Sequence, residues 1–182
     1  YYLLLMFATL GAGMMVISTH FISFFVSLEI LSVSLYSLIA YYRERTKPIE
    51  AGVKYLIIAA MSSAFLLFGM ALIYAITGNM AFQNLSESFA TLNKTASLMA
   101  VAGWGMMIVG IGFKLAVVPF HMWTPDVYEG ASSPVSAFIA SVSTGVMVAV
   151  LIRIFVMADL YHFANIIQVF TAIYILSMLI GN

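Results

Sequence analysis

The sequence predicts an all-α fold, a polytopic membrane helix bundle, and three observations carry that prediction. Hydrophobic residues make up 64% of the 182 residues. Charged residues make up 8%, against about 25% in soluble domains. The apolar residues lie in long unbroken runs, not in the alternating segments of about ten residues that build a membrane barrel. A mean hydropathy of +1.09 agrees. The bilayer is the solvent for this chain.

A spanning helix takes about 20 mostly apolar residues, and six runs qualify. Span one runs from Tyr1 to about Ile17 and reads as truncated at its start. Span two covers about Phe21 to Tyr42, span three Ala51 to Ile76, and span four Ala96 to Val118. Span five covers about Pro134 to Ala158 and span six Phe163 to Ile180. Small residues mark packed faces in membrane helices. Gly103, Gly105, Gly110 and Gly112 crowd span four, and Ser136, Ala140 and Ser143 form one stripe on span five. The chain opens Tyr1-Tyr2-Leu3, with no basic leader or cleavage site, and ends in an apolar run. It is expected to be a piece of a longer membrane protein, with residues 1–182 forming a single transmembrane domain of about six helices.

Arg43, Arg45 and Lys47 share one short loop, which the positive-inside rule places in the cytoplasm. Alternation then puts the polar 77–95 connection outside and returns segment 120–133 to the cytoplasmic side. Arg153, near the outer end of span five, mildly opposes this scheme.

Composition also excludes functions. Seven Lys+Arg balance seven Asp+Glu, so no basic excess exists to bind nucleic acid. Cysteine is absent, which removes thiolate metal sites, iron–sulfur ligation and covalent haem attachment. His20, His121 and His162 lie far apart without metal-ligand spacing. No metal is expected here, and any redox cofactor must sit on another chain. No phosphate-binding glycine loop or nucleophile–base spacing stands out.

Charges at membrane depth are rare and usually functional. Glu29 lies in span two, with Ser32 and Tyr36 at i+3 and i+7 on its face. Its structural alternative is an ion pair locking two helices. Lys54, near the start of span three, either serves function or snorkels to the interface. Lys114 lies deep in span four before Pro119, and Pro125 and Pro134 follow. Proline removes a backbone donor and clashes with the preceding turn, so a helix break is expected near Lys114. Broken membrane helices persist only where protein or water satisfies the freed backbone, which makes a hydrated pocket around Lys114 the expectation. His121, seven residues on, either relays protons or bonds a loop carbonyl. His20 and His162 read as interfacial, and Trp123, Tyr128 and Tyr161 as an aromatic belt.

The run FKLAVVPFHMWTPDVYEGASSPVSAFIA, from Phe113 to Ala140, resembles the signature of the antiporter-like subunits of respiratory complex I, the proton-pumping NADH:quinone oxidoreductase. Thr124, Asp126-Val127-Tyr128 and Gly130-Ala131 resemble the subunit N branch of that family more than its two larger paralogues. The stretches Ser27–Tyr36 and Glu50–Leu56 resemble it too. The resemblance implies that Glu29 matches the family glutamate of the fifth helix and Lys114 the lysine of the broken seventh helix. Lys54 and His121 match polar positions of the same branch. The chain would hold about helices four to nine, the first inverted repeat and the start of the second. The family usually has a further lysine on the eighth helix, where this chain has Thr144. A threonine there holds no charge but can bond a water. Ser132, where the family often has proline, is a lesser departure.

The resemblance further implies other membrane subunits as partners, the lipid bilayer as surroundings and protons as cargo. It implies a bacterial plasma (inner) membrane as the location. NADH, FMN, iron–sulfur clusters and quinone are expected on other subunits, with no cofactor on this chain. The mechanism it suggests is a switched Glu29–Lys114 coupling with His121 passing the proton on. The energies are commensurate. Deprotonating a lysine near neutrality takes about 4 kcal/mol, and moving one charge through 100 mV about 2.3 kcal/mol. Two other readings stay open: a related cation/proton antiporter or membrane-bound hydrogenase subunit, and a membrane anchor or assembly subunit without transport.

Overall fold

A computed structural model describes residues 1–42, 46–85, 94–160 and 164–180 of the chain. Arg43, Arg45, Tyr161 and His162 lie outside the described residues. The helices are α1 (Tyr2–Ile17), α2 (Phe21–Ile39), α3 (Thr46–Thr77), α4 (Lys94–Leu115), α5 (Thr124–Gly130), α6 (Ser133–Phe138), α7 (Thr144–Met157) and α8 (Ala164–Ile180). A 3₁₀ turn, Phe82–Asn84, lies between α3 and α4, and a π-helical turn, Ile139–Ser143, joins α6 to α7. The only strand-like pairing among the described residues is an isolated bridge between His20 and Ala81.

Four stretches are long and apolar enough to cross a membrane: Phe21–Ile39, Thr46–Thr77, Ala96–Leu115 and Ser133–Met157. These match spans two to five. Spans one and six form shorter apolar helices of 16 and 17 residues. Helix α3 has 32 residues, about 48 Å at 1.5 Å per residue, and so exceeds a hydrocarbon core of about 30 Å. Its surplus length accommodates Lys47, Glu50 and Lys54, the charges of its first turns.

Contacts between helix ends follow the expected alternation. At one end the Tyr1 and Tyr41 rings lie 5.4 Å apart, and Lys47 pairs with Glu129 at 2.7 Å. At the other, the Phe21 N–H donates to Met80 O at 2.9 Å and the Phe82 N–H to Thr19 O at 3.0 Å. Phe21 and Phe82 are fully buried, with ring centroids 4.9 Å apart. The first part of the 77–95 connection is therefore a packed plug, not the simple polar loop expected. His20 caps α2, its Nδ1 accepting from the Ile22 N–H at 3.3 Å. Arg153 donates from Nη1 to Val16 O at 2.9 Å, at the C-terminal end of α1. A cation there meets an unpaired carbonyl and the negative end of the helix dipole. That local role explains a basic residue on a side where charge bias does not favour one.

Helices α3 and α4 pack through glycine. A Cβ at Gly69 would come within 2.6 Å of Gly103 O, and one at Gly110 within 2.4 Å of Leu66 Cγ. Ser62 Oγ donates to Gly110 O at 2.7 Å across this contact. The four glycines of span four do not act as one face. Gly103 and Gly110 meet α3, Gly112 meets Phe120, and Gly105 has open space beside it. The Ser136–Ala140–Ser143 stripe is also divided. Ser143 is buried and Ala140 exposed, because the π turn between them changes the helical register.

Candidate functional site

The site is built where α2, α3 and the end of α4 meet. Helix α4 stops at Leu115, one residue after Lys114, so the break expected near the lysine is present. Its geometry is a recognisable helix ending. Ala116 takes a left-handed φ of +53°. Its N–H donates to Phe113 O at 3.3 Å, and the Val117 N–H to Gly112 O at 3.2 Å. These are the paired bonds of a Schellman ending. The Val118 N–H donates to Ser177 Oγ of α8 at 3.1 Å, so protein satisfies a backbone group that the break frees.

The three prolines divide the work. Pro119 follows the break. Pro125 and Pro134 do not break helices but stand in the first turns of α5 and α6, where a missing N–H costs nothing and the fixed φ suits the helix.

Lys114, partly buried, reaches α2 and α3. Its Nζ donates to Ser32 Oγ at 2.6 Å and lies 5.3 Å from the centroid of the Tyr55 ring. Ser32 Oγ donates in turn to Leu28 O at 2.7 Å, leaving its lone pairs to the ammonium. Glu29 sits one turn before Ser32 and accepts a hydrogen bond from Ser63 Oγ of α3. Glu29 and Lys114 do not form a direct ion pair. The ion pairs among the described residues are Lys47–Glu129, Lys54–Glu50 and Lys54–Asp126. Each of the two residues bonds a serine instead, Lys114 to Ser32 and Glu29 to Ser63.

Lys54 is not brought to this cluster. It bridges Glu50 and Asp126, both at 2.7 Å, and ties the start of α3 to α5. Lys47 and Glu129 make a second tie beside it. The Lys47 ammonium holds the exposed Glu129 carboxyl below the ordinary carboxylate range. Gly130 permits the approach, since a Cβ there would come within 2.4 Å of Ala51 Cβ.

His121 lies in the turns between α4 and α5, with no hydrogen bond or ion pair to Lys114 or Glu29. Its Nδ1 is buried without a partner among the described residues, as is Thr124 Oγ1 nearby. Buried polar atoms are ordinarily satisfied by protein or ordered water. Thr144 closes the π turn, its Oγ1 donating to Ile139 O at 3.1 Å.

Trp123 departs from the aromatic-belt expectation. It is 7% exposed, its Nε1 donates to Phe113 O at 3.1 Å, and its ring lies 5.3 Å from Tyr55. Ser63 and Tyr55 were not singled out by sequence reasoning. The paired Ser62-Ser63 inside an apolar span was the available signal for the first. Tyr55 gave none beyond its place next to Lys54. No group of three or more His, Asp or Glu suited to a metal exists among the described residues.

A family model described as NADH:quinone oxidoreductase/Mrp antiporter, transmembrane, matches residues 18–182. The chain is 49% identical over 168 residues to a Nitrosospira multiformis protein named NADH-quinone oxidoreductase subunit N, covering 92% of this chain and 33% of that one. It resembles a chain of respiratory complex I from Thermus thermophilus with bound aureothin at TM-score 0.73 and 36% identity, covering 84% of this chain and 33% of that one. It resembles a chain of the Mrp complex from a Dietzia species at TM-score 0.84 and 25% identity, covering 98% of this chain and 33% of that one. The chain spans about a third of the length of the curated relatives it matches.

Proposed function

The chain belongs to the NADH:quinone oxidoreductase/Mrp antiporter transmembrane family, and we propose that it forms the proton-handling first repeat of a subunit N in a proton-translocating NADH:quinone oxidoreductase. The observation that carries this reading is Lys114. A lysine stands one residue from the end of a broken membrane helix and faces a glutamate-bearing helix through Ser32. Placing an isolated charge at a helix centre costs about 2.5–3.5 kcal/mol, and packing alone rarely requires it.

Lys114 is the switchable carrier in this reading. Glu29 tunes it through the field of its carboxylate, held in orientation by Ser63. His121 Nδ1 and Thr124 Oγ1, buried and without a partner among the described residues, offer a landing place for a water beyond the break. His121 can then pass the proton on, because an imidazole has one ring nitrogen to accept a proton and a second to release one. Lys54, tied to Glu50 and Asp126, holds the segment after the break and sits beside the route. Thr144 contributes a hydroxyl where a water can stand in for a charged side chain.

Partners in this reading are other membrane subunits of the parent complex, set in a bacterial inner membrane. NADH, FMN, iron–sulfur clusters and quinone belong to those other subunits. The subunit N name of the curated relatives supports this over a separate antiporter, and the partly buried charges Lys114 and Glu29 within apolar spans support it over an inert anchor.

The test is proton pumping in vesicles holding the intact parent complex, with quinone reduction recorded in the same sample. Lys114→Met is expected to lower both while the complex stays assembled. Wild-type pumping in an assembled Lys114→Met complex would remove Lys114 from the route.

A further inference from the structure

The Lys114 ammonium has three N–H donors, yet among the described residues one oxygen, that of Ser32, is its hydrogen-bond partner. No carboxylate of the described residues lies within ion-pair distance. A partly buried charged amine needs more than one neutral acceptor. The group that faces it is the Tyr55 ring, with its centroid 5.3 Å from Nζ. That is inside the range of about 6 Å over which an aromatic face attracts a cation, and the attraction grows when water is excluded.

The ring is held there by its surroundings. Tyr55 is 3% exposed. Its ring neighbour, Trp123, lies at 5.3 Å and is fixed by its bond to Phe113 O, the residue before Lys114. One residue before Tyr55, Lys54 is tied to Asp126, three residues after Trp123. Residues 54–55 of α3 and 123–126 beyond the break thus meet twice, once in a charged tie and once in a tilted aromatic contact. Such a double contact fixes the ring more firmly than exposed ion pairs alone, which contribute little by themselves.

We propose that Tyr55 is a positioning residue for Lys114: its π face holds the charged amine between α2 and α3, and Trp123 keeps the face turned toward it. The inference rests on the proposed role of Lys114 in moving protons. The other charged groups described on α2, α3, α5 and α7 have partners of their own. Glu29, from α2, accepts from Ser63, and Tyr36 lies two turns further along α2. Lys47, Glu50 and Lys54, from α3, join Asp126 and Glu129 of α5 in the outer ties. Arg153, from α7, turns to Val16 O. Beyond the break, His121 and Tyr128 make no bond to Lys114.

The test replaces Tyr55 in the intact parent complex by phenylalanine and by phenylalanines carrying one to three ring fluorines. The series keeps ring size while weakening the π face stepwise. Proton pumping is measured against pH, with Lys114→Met as a control. Tyr55→Phe is expected to keep the wild-type profile. Along the fluorinated series the alkaline limb moves toward acid by about one pH unit in total, the size of a desolvated cation–π contact. Identical profiles along the series, with Lys114→Met inactive, would overturn the role of Tyr55 and leave the proton-carrier reading intact. Full pumping by Lys114→Met would overturn both. Should the fluorinated proteins fail to assemble, Trp123→Phe serves in their place. It keeps an aromatic neighbour for Tyr55 but drops the bond to Phe113 O. It is expected to move the same limb in the same direction, and an unmoved limb would overturn the proposal.

Discussion

Lys114 and Ser32, 82 residues apart in sequence, are joined by a 2.6 Å hydrogen bond, and this bond carries the link between the lysine and the glutamate-bearing helix. A hydrogen bond to a charged group is worth about 1.5–3 kcal/mol, and its loss inside a membrane leaves the amine short of an acceptor. Ser32→Ala is therefore expected to lower proton pumping by about tenfold or more, while Ser32→Thr, which keeps the oxygen, retains most of it. Ser37→Ala is the control, because Ser37 Oγ bonds Val33 O of its own helix and not Lys114. Equal pumping by Ser32→Ala and Ser37→Ala complexes would show that the Ser32 oxygen is idle.

The break after Lys114 carries a cost that can be relieved. Ala116 occupies the left-handed position of a Schellman ending, φ +53°, where glycine is the usual residue and an L side chain costs about 1 kcal/mol. Ala116→Gly should raise the stability of the detergent-solubilised subunit by about 0.5–1 kcal/mol, part of the gain being offset by glycine's freedom in the unfolded chain. Ala116→Val should lower it, since a branched side chain fits that conformation worse. Denaturant midpoints measure both. A lower midpoint for Ala116→Gly would mean that this residue does not hold the left-handed conformation.

Glycine at the α3–α4 contact makes a paired prediction. Gly69→Ala puts a Cβ 2.6 Å from the Gly103 carbonyl oxygen, a backbone atom that yields only if the helices separate. Separation would also stretch the Ser62–Gly110 bond. Overpacking of this kind costs about 1–3 kcal/mol. Gly105→Ala, on the same helix as Gly103 but with nothing within 4 Å, should leave stability unchanged or raise it by up to about 1 kcal/mol. The two thermal midpoints, taken on the same preparation, should move apart. If they fall together, the close glycine contact is not what holds α3 to α4.

Most of the fold was legible because its signals are local. Long apolar runs announce helices whatever they pack against, and a proline five residues after Lys114 announces a break close to it. The end of α4 was less legible. Span four was expected to reach Val118, but the left-handed turn at Ala116 closes the helix at Leu115, and alanine does not advertise that conformation. The depth of Glu29 and Lys114 flagged both residues. That each bonds a serine in place of the other was not legible, because contacts between helices depend on rotation about each helix axis. Trp123 looked like a belt residue for the same reason. Its indole N–H turns inward to a carbonyl at the broken end of α4, a partner that exists only once the helix has ended. The π turn at Ile139–Ser143 leaves no local mark either, so the small-residue stripe was read on a regular helix that the chain does not form.

That π turn gives Thr144 its test. Such turns insert an extra residue, widen the helix locally and are frequent at functional sites. Thr144 closes this one with a bond from Oγ1 to Ile139 O, five residues back, and its hydroxyl oxygen still has lone pairs for a water. A water-mediated step needs that oxygen, whereas a packing role needs only the shape. Thr144→Val keeps the shape and removes the oxygen. It should lower pumping by about tenfold, the effect of losing one net hydrogen bond of about 1.4 kcal/mol in the transition state. Thr144→Ser should retain pumping. Thr144→Lys, which places a protonatable group where the water would stand, should also retain it. The three are compared for pumping per quinone reduced, so that poor assembly does not count as loss. Wild-type pumping by Thr144→Val would mean that no proton step uses this hydroxyl, and the route would then have to pass α7 elsewhere.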